Sequence, residues 1–226
     1  MNKKIFWIAS FPKSGNTWMR AIITSLFFSK EGEFEFNFLN NINHFDTPNA
    51  YDFVKKINLE DFNNLNKLSI LSKYRVEAQK RALINSGDFG FFKTHSSNLK
   101  INNFDYTNSE TTLGFIYLIR DPRDVAISWS LHEEKTIDEI IDLMVNKNTV
   151  MRNPDNINGI PMHVSSWSQN YLSWKKLDVP RLIIRYENLI KETKKTISDI
   201  VIFFEKNYNF SFKNKEILIN NIIKNT

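Results

Sequence analysis

The chain has 226 residues, of which 42% are hydrophobic and 24% charged; this is typical of a soluble globular protein with one sizeable core. We therefore predict a single domain over residues 1–226. The net charge of +5 comes from Lys and Arg residues that are scattered rather than clustered. That distribution argues against a nucleic-acid-binding surface, and the positive charge suits a small anionic ligand.

Missing residue types exclude several kinds of site. The sequence has no Cys, which excludes disulfides, thiol nucleophiles and thiolate-bound zinc. The His residues lack the spacing of a metal-binding motif, so no metal site is predicted. They are His44, His95, His132 and His163. Because no apolar stretch is long enough for a membrane span or a signal peptide, we expect a cytoplasmic protein without membrane contacts.

The chain opens with a predicted strand, loop and helix. Ile5–Ser10 is a nearly continuous apolar run, as expected for a strand buried on both faces of a parallel sheet. Turn-forming residues occupy 11–16, and Thr17–Phe28 has apolar residues at helical spacing. This order is typical of the first unit of an α/β fold.

Predicted strands and helices alternate through the rest of the chain. Glu31–Asn66 is an irregular polar and aromatic segment of the kind that forms binding loops. The further strands are Phe89–Thr94, Leu113–Ile119 and Arg181–Arg185. The further helices are Leu68–Asn85, Asp124–His132, Ile137–Asn146, Val164–Leu177, Leu189–Phe204 and Asn214–Ile223. The alternation predicts a three-layer α/β fold with a central, mostly parallel sheet flanked by helices.

The loop Ser10–Trp18 is the strongest local signal for a ligand site. Unpaired backbone N–H groups and the helix dipole favour an anion at the start of the following helix. Gly15 lets the backbone approach a ligand, and Lys13 supplies a cation. Side-chain donors are present at Ser14, Asn16 and Thr17. The Lys precedes the Gly, unlike in a Walker A motif, so the loop is predicted to be a P-loop relative that binds phosphate. The alternative is a capped strand-to-helix turn with a surface lysine.

A second signal follows the predicted strand Leu113–Ile119. Arg120 lies at its carboxyl end, where ligands bind in open α/β sheets. Arginine suits bidentate phosphate binding, and Ser128 on the next helix can donate to the same group. A surface ion-pair cluster of Arg120 with its charged neighbours is the alternative.

A third signal ends the predicted strand Phe89–Thr94. His95 can act as a general base near neutral pH. Lys93 can stabilise developing negative charge. A lone histidine is otherwise structural or simply exposed.

Together, these patterns resemble the nucleotide-dependent sulfotransferase family. Residues 10–18, with the sequence SFPKSGNTW, look like its 5′-phosphosulfate loop. Arg120 and Ser128 look like its 3′-phosphate pair, and residues 93–95 look like its catalytic segment. Weaker similarities are His163-Val164 with Trp167, which resemble the helix before the fourth strand, and residues 185–189, whose tyrosine would lie near the adenine.

The resemblance implies a P-loop NTPase-like fold and an enzyme that moves a sulfuryl group from 3′-phosphoadenosine 5′-phosphosulfate (PAPS) to a hydroxyl or amine without a metal. It implies that His95 takes the acceptor proton while Lys13 and Lys93 stabilise the leaving phosphate. The implied donor contacts are Lys13, Ser14, Gly15, Asn16 and Thr17 at the 5′-phosphate, Trp18 and Tyr186 at the adenine, and Arg120 and Ser128 at the 3′-phosphate.

Two irregular segments, residues 34–51 and 151–162, are the predicted acceptor-facing regions. The aromatic residues Phe34, Phe36, Phe38 and Phe45 could line an apolar pocket, with ordinary loop packing as the alternative. The expected acceptor is a small molecule or a saccharide.

The C-terminal part departs from the family pattern. Family members usually continue beyond the helix that matches Asn214–Ile223, with segments that close over the adenine and grip the 3′-phosphate. A shorter branch of the family, a truncated chain and a protein with weakened donor binding all fit. Two other functions stay open at this point: a P-loop nucleotide kinase or NTPase, and an inactive nucleotide-binding protein. Against the kinase stand the position of Lys13 and the lack of a clear strand ending in a magnesium-binding Asp.

Overall fold

The computed structural model describes residues 4–54, 64–82, 89–151 and 160–226. The end of the predicted helix Leu68–Asn85 lies outside the described residues. So do residues 55–63 of the first irregular segment and residues 152–159 of the second predicted acceptor-facing region.

A parallel sheet forms the centre of the protein. Its strands are β1 (Lys4–Ser10), β2 (Asn43–His44), β3 (Phe89–Thr94), β4 (Thr112–Ile119) and β7 (Arg181–Arg185). They lie in the order β2-β3-β1-β4-β7, and each neighbouring pair is parallel. A separate antiparallel ribbon pairs β5 (Val150–Met151) with β6 (Met162–His163).

Helices connect the strands. They are α1 (Asn16–Phe28), α2 (Asn64–Ser72), α3 (Arg75–Arg81), α4 (Pro122–Glu133), α5 (Ile137–Val145), α6 (Trp167–Lys175), α7 (Tyr186–Lys191), α8 (Thr193–Tyr208) and α9 (Lys215–Asn225). Short 3₁₀ helices span Phe36–Asn41 and Pro48–Tyr51. None of the described helices is long and apolar enough to cross a bilayer.

Alternate residues of β1 enter two different cores. Phe6 and Ile8 pack in a cluster with apolar residues of α1, α8 and α9. Trp7 and Ala9 pack on the other face, in a cluster that includes residues of α2, α3 and α6. Because a central parallel strand is covered on both faces, its sequence is apolar throughout rather than alternating. The predicted three-layer α/β architecture is confirmed.

A third apolar cluster lies beyond the sheet, between α4, α5 and the ribbon. Phe11, which follows β1, packs edge to face against Trp129 of α4, with ring centroids 5.6 Å apart. Val164 and Met162 complete the contact from the ribbon side. This cluster fixes α4 against the loop that follows β1.

Local chemistry explains where the observed helices depart from the predicted ones. The predicted helix Val164–Leu177 begins at Trp167, because Ser166 is its N-cap and accepts a hydrogen bond from the Gln169 backbone. The predicted helix Leu189–Phe204 is two helices separated at Glu192, whose φ of −130° and ψ of 45° are not helical.

Two further predictions of extent were wrong. The described part of Leu68–Asn85 contains two helices, α2 and α3, rather than one. The segment Glu31–Asn66, predicted to be irregular, contributes the edge strand β2. A strand of two residues is too short to produce a visible alternation of apolar and polar residues.

The strand register brings distant parts of the chain to one edge. Neighbours at the carboxyl ends are His44 and Lys93, Ala9 and Thr94, and Ile119 and Arg185. Since all five strands are parallel, the residues that follow them converge above this edge.

Candidate nucleotide and reaction site

A cavity of about 530 Å³ lies above the carboxyl edge of the sheet. All predicted site residues except Ser14 and Trp18 line it: Lys13, Gly15, Asn16, Thr17, Lys93, His95, Arg120, Ser128 and Tyr186. The structure therefore brings residues from four separate segments around one volume. The cavity is of ordinary size for a small-ligand site.

The loop after β1 has the backbone shape of an anion cradle. Gly15 is the N-cap of α1 with φ of 95°, and Lys13 also has a positive φ, of 60°. Both conformations turn the chain sharply before the helix. The buried Asn16 amide donates to the Ile8 carbonyl (3.1 Å) and to Ser10 Oγ (3.2 Å). Asn16 thus uses its side-chain donor to brace the loop.

Ser14 and Trp18 lie beside the cavity. Ser14 is fully buried, and its hydroxyl donates to the Pro12 carbonyl at 3.4 Å. The Trp18 ring meets the Tyr186 ring edge to face, with centroids 6.1 Å apart. Trp18 Nε1 is buried and has no hydrogen-bond partner among the described residues. These two side chains therefore support the loop and the cavity wall from behind, without lining the cavity.

Arg120 connects the loop, β4 and α7. Its Nη1 donates to the Lys13 carbonyl at 3.0 Å. Its guanidinium carbon lies 4.5 Å from the centre of the Tyr186 ring, a cation–π contact. Its Nε is buried and has no acceptor among the described residues. Arg120 is therefore fixed in place with a donor still available.

The alternative prediction, a surface ion pair, holds for the neighbours of Arg120 and not for Arg120 itself. Arg123 Nη2 lies 2.6 Å from Asp121 Oδ2, and Arg123 is largely exposed. This bond holds the pKa of Asp121 down, at about 2. Asp121 also caps α4 by accepting from the Arg123 backbone. Arg120 turns inward instead.

His95 lies beside the start of the loop, and one of its ring nitrogens is occupied. Its Nδ1 donates to the Ser10 carbonyl at 2.9 Å, so in the neutral ring the lone pair is on Nε2. Burial and then the charge of Lys93 lower the pKa of His95 to about 3. The ring is therefore neutral near pH 7, with an unprotonated Nε2.

Helix α6 holds the backbone on either side of this ring. Asn170 Nδ2 donates to the His95 carbonyl at 3.0 Å, and Trp174 Nε1 donates to the Ser96 carbonyl at 2.9 Å. The Asn98 backbone donates to Ser173 Oγ at 2.8 Å. Residues 95–98 are thus fixed although they belong to no strand or helix.

Comparisons with known proteins identify the family. The family model of the sulfotransferase domain matches residues 3–226. This chain belongs to the sulfotransferase family. A search of curated proteins gives no match.

Solved structures show the same fold at low sequence identity. Mouse sulfotransferase SULT7A1, complexed with PAP, is 17% identical, with a TM-score of 0.53 over 100% of this chain. Retinol dehydratase, in complexes with androsterone and PAP or with retinol and PAP, is 18% identical, with TM-scores of 0.55 and 0.59 over 98% and 100% of the chain. The chain spans 64–65% of the length of those proteins. The predicted P-loop NTPase-like fold is confirmed.

The predicted phenylalanine pocket does not form as a unit in this sulfotransferase domain. Phe45 is buried in the core, 5.2 Å from Trp7 by ring centroids, whereas Phe36 is 83% exposed. Phe34 packs on Phe36. Of this aromatic set, Phe45 lines a second cavity, of about 600 Å³, between β2 and α3.

Several residues at the site were not singled out from the sequence, although three of them lie within the predicted acceptor-facing segments. Met151 and Met162, on the ribbon, line the first cavity. Glu187 accepts a hydrogen bond from the Asp121 backbone at 2.8 Å and so joins α7 to the end of β4. His44 lines both cavities. In the sequence, only the residue type of His44 could have marked it as a candidate. Its position at a strand end becomes visible only when β2 is known.

Proposed function

We propose that this protein transfers a sulfuryl group from PAPS to a hydroxyl or amine of a small-molecule or saccharide acceptor. The observation that carries the proposal is the shared cavity, in which a phosphate loop, an inward arginine and a neutral histidine face one another. Family membership and the fold support the same reaction. No metal is needed for the roles assigned below.

The donor would lie between the loop and α4. Lys13 and the N–H groups at the start of α1 suit the 5′-phosphate, since the helix terminus supplies donors and positive potential. Arg120 and Ser128 suit the 3′-phosphate. The buried donors at Arg120 Nε and Trp18 Nε1 lack acceptors among the described residues, which fits an anionic, adenine-containing ligand. Trp18 and Tyr186 are the aromatic residues proposed for the adenine end.

His95 is the proposed general base. Its Nε2 would accept the proton of the acceptor hydroxyl or amine as that group attacks sulfur. Bound PAPS supplies an activated sulfuryl group whose leaving group is a phosphate. Lys13 and Lys93 would stabilise the negative charge that develops on that phosphate. The anionic donor would also raise the pKa of His95 towards neutrality by offsetting its cationic neighbours.

The acceptor would enter beside the antiparallel ribbon and α4. Met151, Met162 and Trp129 give that part of the cavity an apolar wall, and Met adapts to ligands of different shape. Met151 and Met162, the described ends of the predicted region 151–162, are therefore part of our proposed acceptor wall. Residues 43–50 border the second cavity, and we propose them as the other acceptor-facing segment.

A P-loop kinase or NTPase is the second candidate function, and an inactive nucleotide-binding protein is the third. Asp121 follows β4, where the magnesium-binding Asp of a P-loop kinase would be sought, but it bonds to Arg123 and caps α4. Addition of magnesium should accordingly leave sulfuryl transfer unchanged. A requirement for magnesium would favour the kinase.

Calorimetric titration with 3′-phosphoadenosine 5′-phosphate (PAP) and with AMP tests the assignment. These ligands differ by the 3′-phosphate, so we expect PAP to bind about 10- to 100-fold more tightly, as for a charge-assisted hydrogen bond. Arg120→Ala should reduce this ratio to about 3-fold or less. Arg123→Ala is the matched control, because Arg123 is nearby but exposed. Equal affinity of the wild type for PAP and AMP would overturn the 3′-phosphate assignment.

A further inference from the structure

His44 has a defined hydrogen position. It ends β2, and its Nδ1 accepts a hydrogen bond from the Asp46 backbone N–H at 3.1 Å. A backbone amide can only donate, so Nδ1 carries the lone pair. In the neutral ring the hydrogen is therefore on Nε2.

That Nε2–H group is buried without an acceptor. Nε2 is shielded from solvent and has no hydrogen-bond partner among the described residues. Such an unpaired donor costs about 1–3 kcal/mol. The His44 ring borders both cavities, and its centroid is 6.3 Å from that of His95. An unpaired donor at this junction points to a ligand that supplies the acceptor.

The surroundings of His44 select a negatively charged acceptor. The charged and ionisable groups that act on the ring are Lys93, His95 and Arg20, all cationic or neutral. Arg20 donates to the Leu39 carbonyl, and its buried Nε also has no acceptor among the described residues. An anionic oxygen placed here would meet positive potential from several sides.

We propose that His44 donates from Nε2 to a non-bridging oxygen of the sulfuryl group during transfer. This inference rests on the proposed function and adds a residue to it. The new bond joins the acceptor oxygen or nitrogen to sulfur, the sulfur–phosphate oxygen bond breaks, and the acceptor proton goes to His95. His44 keeps its own proton and acts as a fixed donor.

Asp46 is the residue that positions His44 together with His95. While its backbone fixes the His44 ring, its buried carboxylate accepts from Thr94 Oγ1 (3.0 Å) and Ser96 Oγ (3.2 Å). Thr94 and Ser96 flank His95 in the chain. The same buried residue therefore holds the segments that carry both rings, which sets their separation.

Two substitutions separate the donor from the structural contact. In His44→Asn the side-chain oxygen can still accept from the Asp46 backbone, but the distant donor is lost. In His44→Gln the side-chain amide reaches the place of Nε2 and restores a donor there. His44→Asn therefore keeps the acceptor and removes the donor, whereas His44→Gln keeps a donor at the place of Nε2. Thermal unfolding of each variant reports any loss of fold.

Calorimetric titration without acceptor compares PAP, which lacks the sulfuryl group, with PAPS. We expect His44→Asn to weaken PAPS binding about 10-fold and PAP binding less than 2-fold, because one charge-assisted hydrogen bond is lost. His44→Gln should bind PAPS within about 3-fold of the wild type. Equal effects of His44→Asn on PAP and PAPS, or none, would overturn the proposal. If the wild type bound neither nucleotide, the proposed function itself would fail.

Nuclear magnetic resonance of ¹⁵N-labelled histidine gives an independent readout in the unaltered protein. The Nε2–H resonance of His44, assigned by its loss in His44→Gln, should shift on addition of PAPS and move much less with PAP. A response that is the same for both ligands would contradict a contact with the sulfuryl group.

Discussion

The two ends of the main cavity are built in different ways. The nucleotide end consists of the loop 10–18, Arg120, Ser128 and Tyr186. Its shape comes from backbone geometry, such as the positive φ of Gly15, and from one arginine that bonds the loop. The histidine end consists of His44, Lys93 and His95, whose positions depend on strand pairing and a buried carboxylate. Binding of the nucleotide and activation of the acceptor should therefore respond separately to mutation.

The largest expected effect lies at the histidine end. His95→Ala removes the proposed base, so transfer of labelled sulfuryl from PAPS to a panel of phenols should fall about 10²- to 10⁴-fold. PAP affinity, measured by calorimetry, should change less than 3-fold.

His163→Gln is the control for this variant, because His163 is also partly buried with a lowered pKa but is not among the residues lining the cavity. Turnover that survives in His95→Ala would remove the base role. A matching loss of PAP binding would show that the two ends are not separable.

An intermediate effect is expected at the nucleotide end. A Cβ on Gly15 would clash with the Tyr186 ring at Cδ2, at a backbone φ of 95° that disfavours side chains. Gly15→Ala must displace the Tyr186 ring or the loop, so PAP affinity should fall about 10- to 100-fold, corresponding to overpacking by 1–3 kcal/mol.

Gly114→Ala is the matched control for crowding. A Cβ there would lie 2.7 Å from the Pro180 carbonyl, away from the cavity. We expect a lower melting temperature with unchanged PAP affinity of the folded protein. If Gly15→Ala bound PAP normally, the close approach of Gly15 to Tyr186 would not shape the nucleotide end.

The smallest effect concerns acid stability. The folded-state pKa of His95 is about 3, below its unfolded value near 6.5. The unfolded chain therefore binds the extra proton first, and this group's contribution is lost as the pH falls from 6.5 towards 3. The loss is at most about 1.4 kcal/mol per pH unit for one proton.

Chemical denaturation of the wild type and of His95→Gln at pH 7 and pH 5 isolates this contribution from other titrating groups, including the buried Asp46, whose pKa is raised by burial. The difference in unfolding free energy between wild type and variant should be smaller at pH 5. A constant difference would mean that His95 titrates alike in the folded and unfolded chains.

The nucleotide end could be predicted from the sequence because its signals are local. One short segment contains the strand Ile5–Ser10, Lys13 and Gly15. Arg120 follows a strand that is continuously apolar. Their meeting needs only the rule that parallel strands end at a common edge. Lys93 and His95 could be predicted to lie at the site by the same rule.

The acceptor side could be predicted only as two irregular segments, residues 34–51 and 151–162, and not residue by residue. His44 enters the site only through the pairing of β2 with β3, and β2 is too short to leave a periodic pattern. Asp46 reads as an ordinary acidic loop residue, yet it is almost fully buried. Met151 and Met162 are brought together by their pairing in the antiparallel ribbon, although they are separated in the sequence.

The irregular backbone at residues 95–98 determines how much affinity a ligand loses to the ordering of this segment when it binds. Successive amides of Ser96, Ser97 and Asn98 already donate to Thr94 Oγ1, the His163 carbonyl and Ser173 Oγ. The segment that carries His95, the proposed base, is therefore ordered during folding, and a ligand need not order it again. An incoming molecule loses little affinity to reorganisation here. A ligand that requires this segment to move would have to break those bonds first.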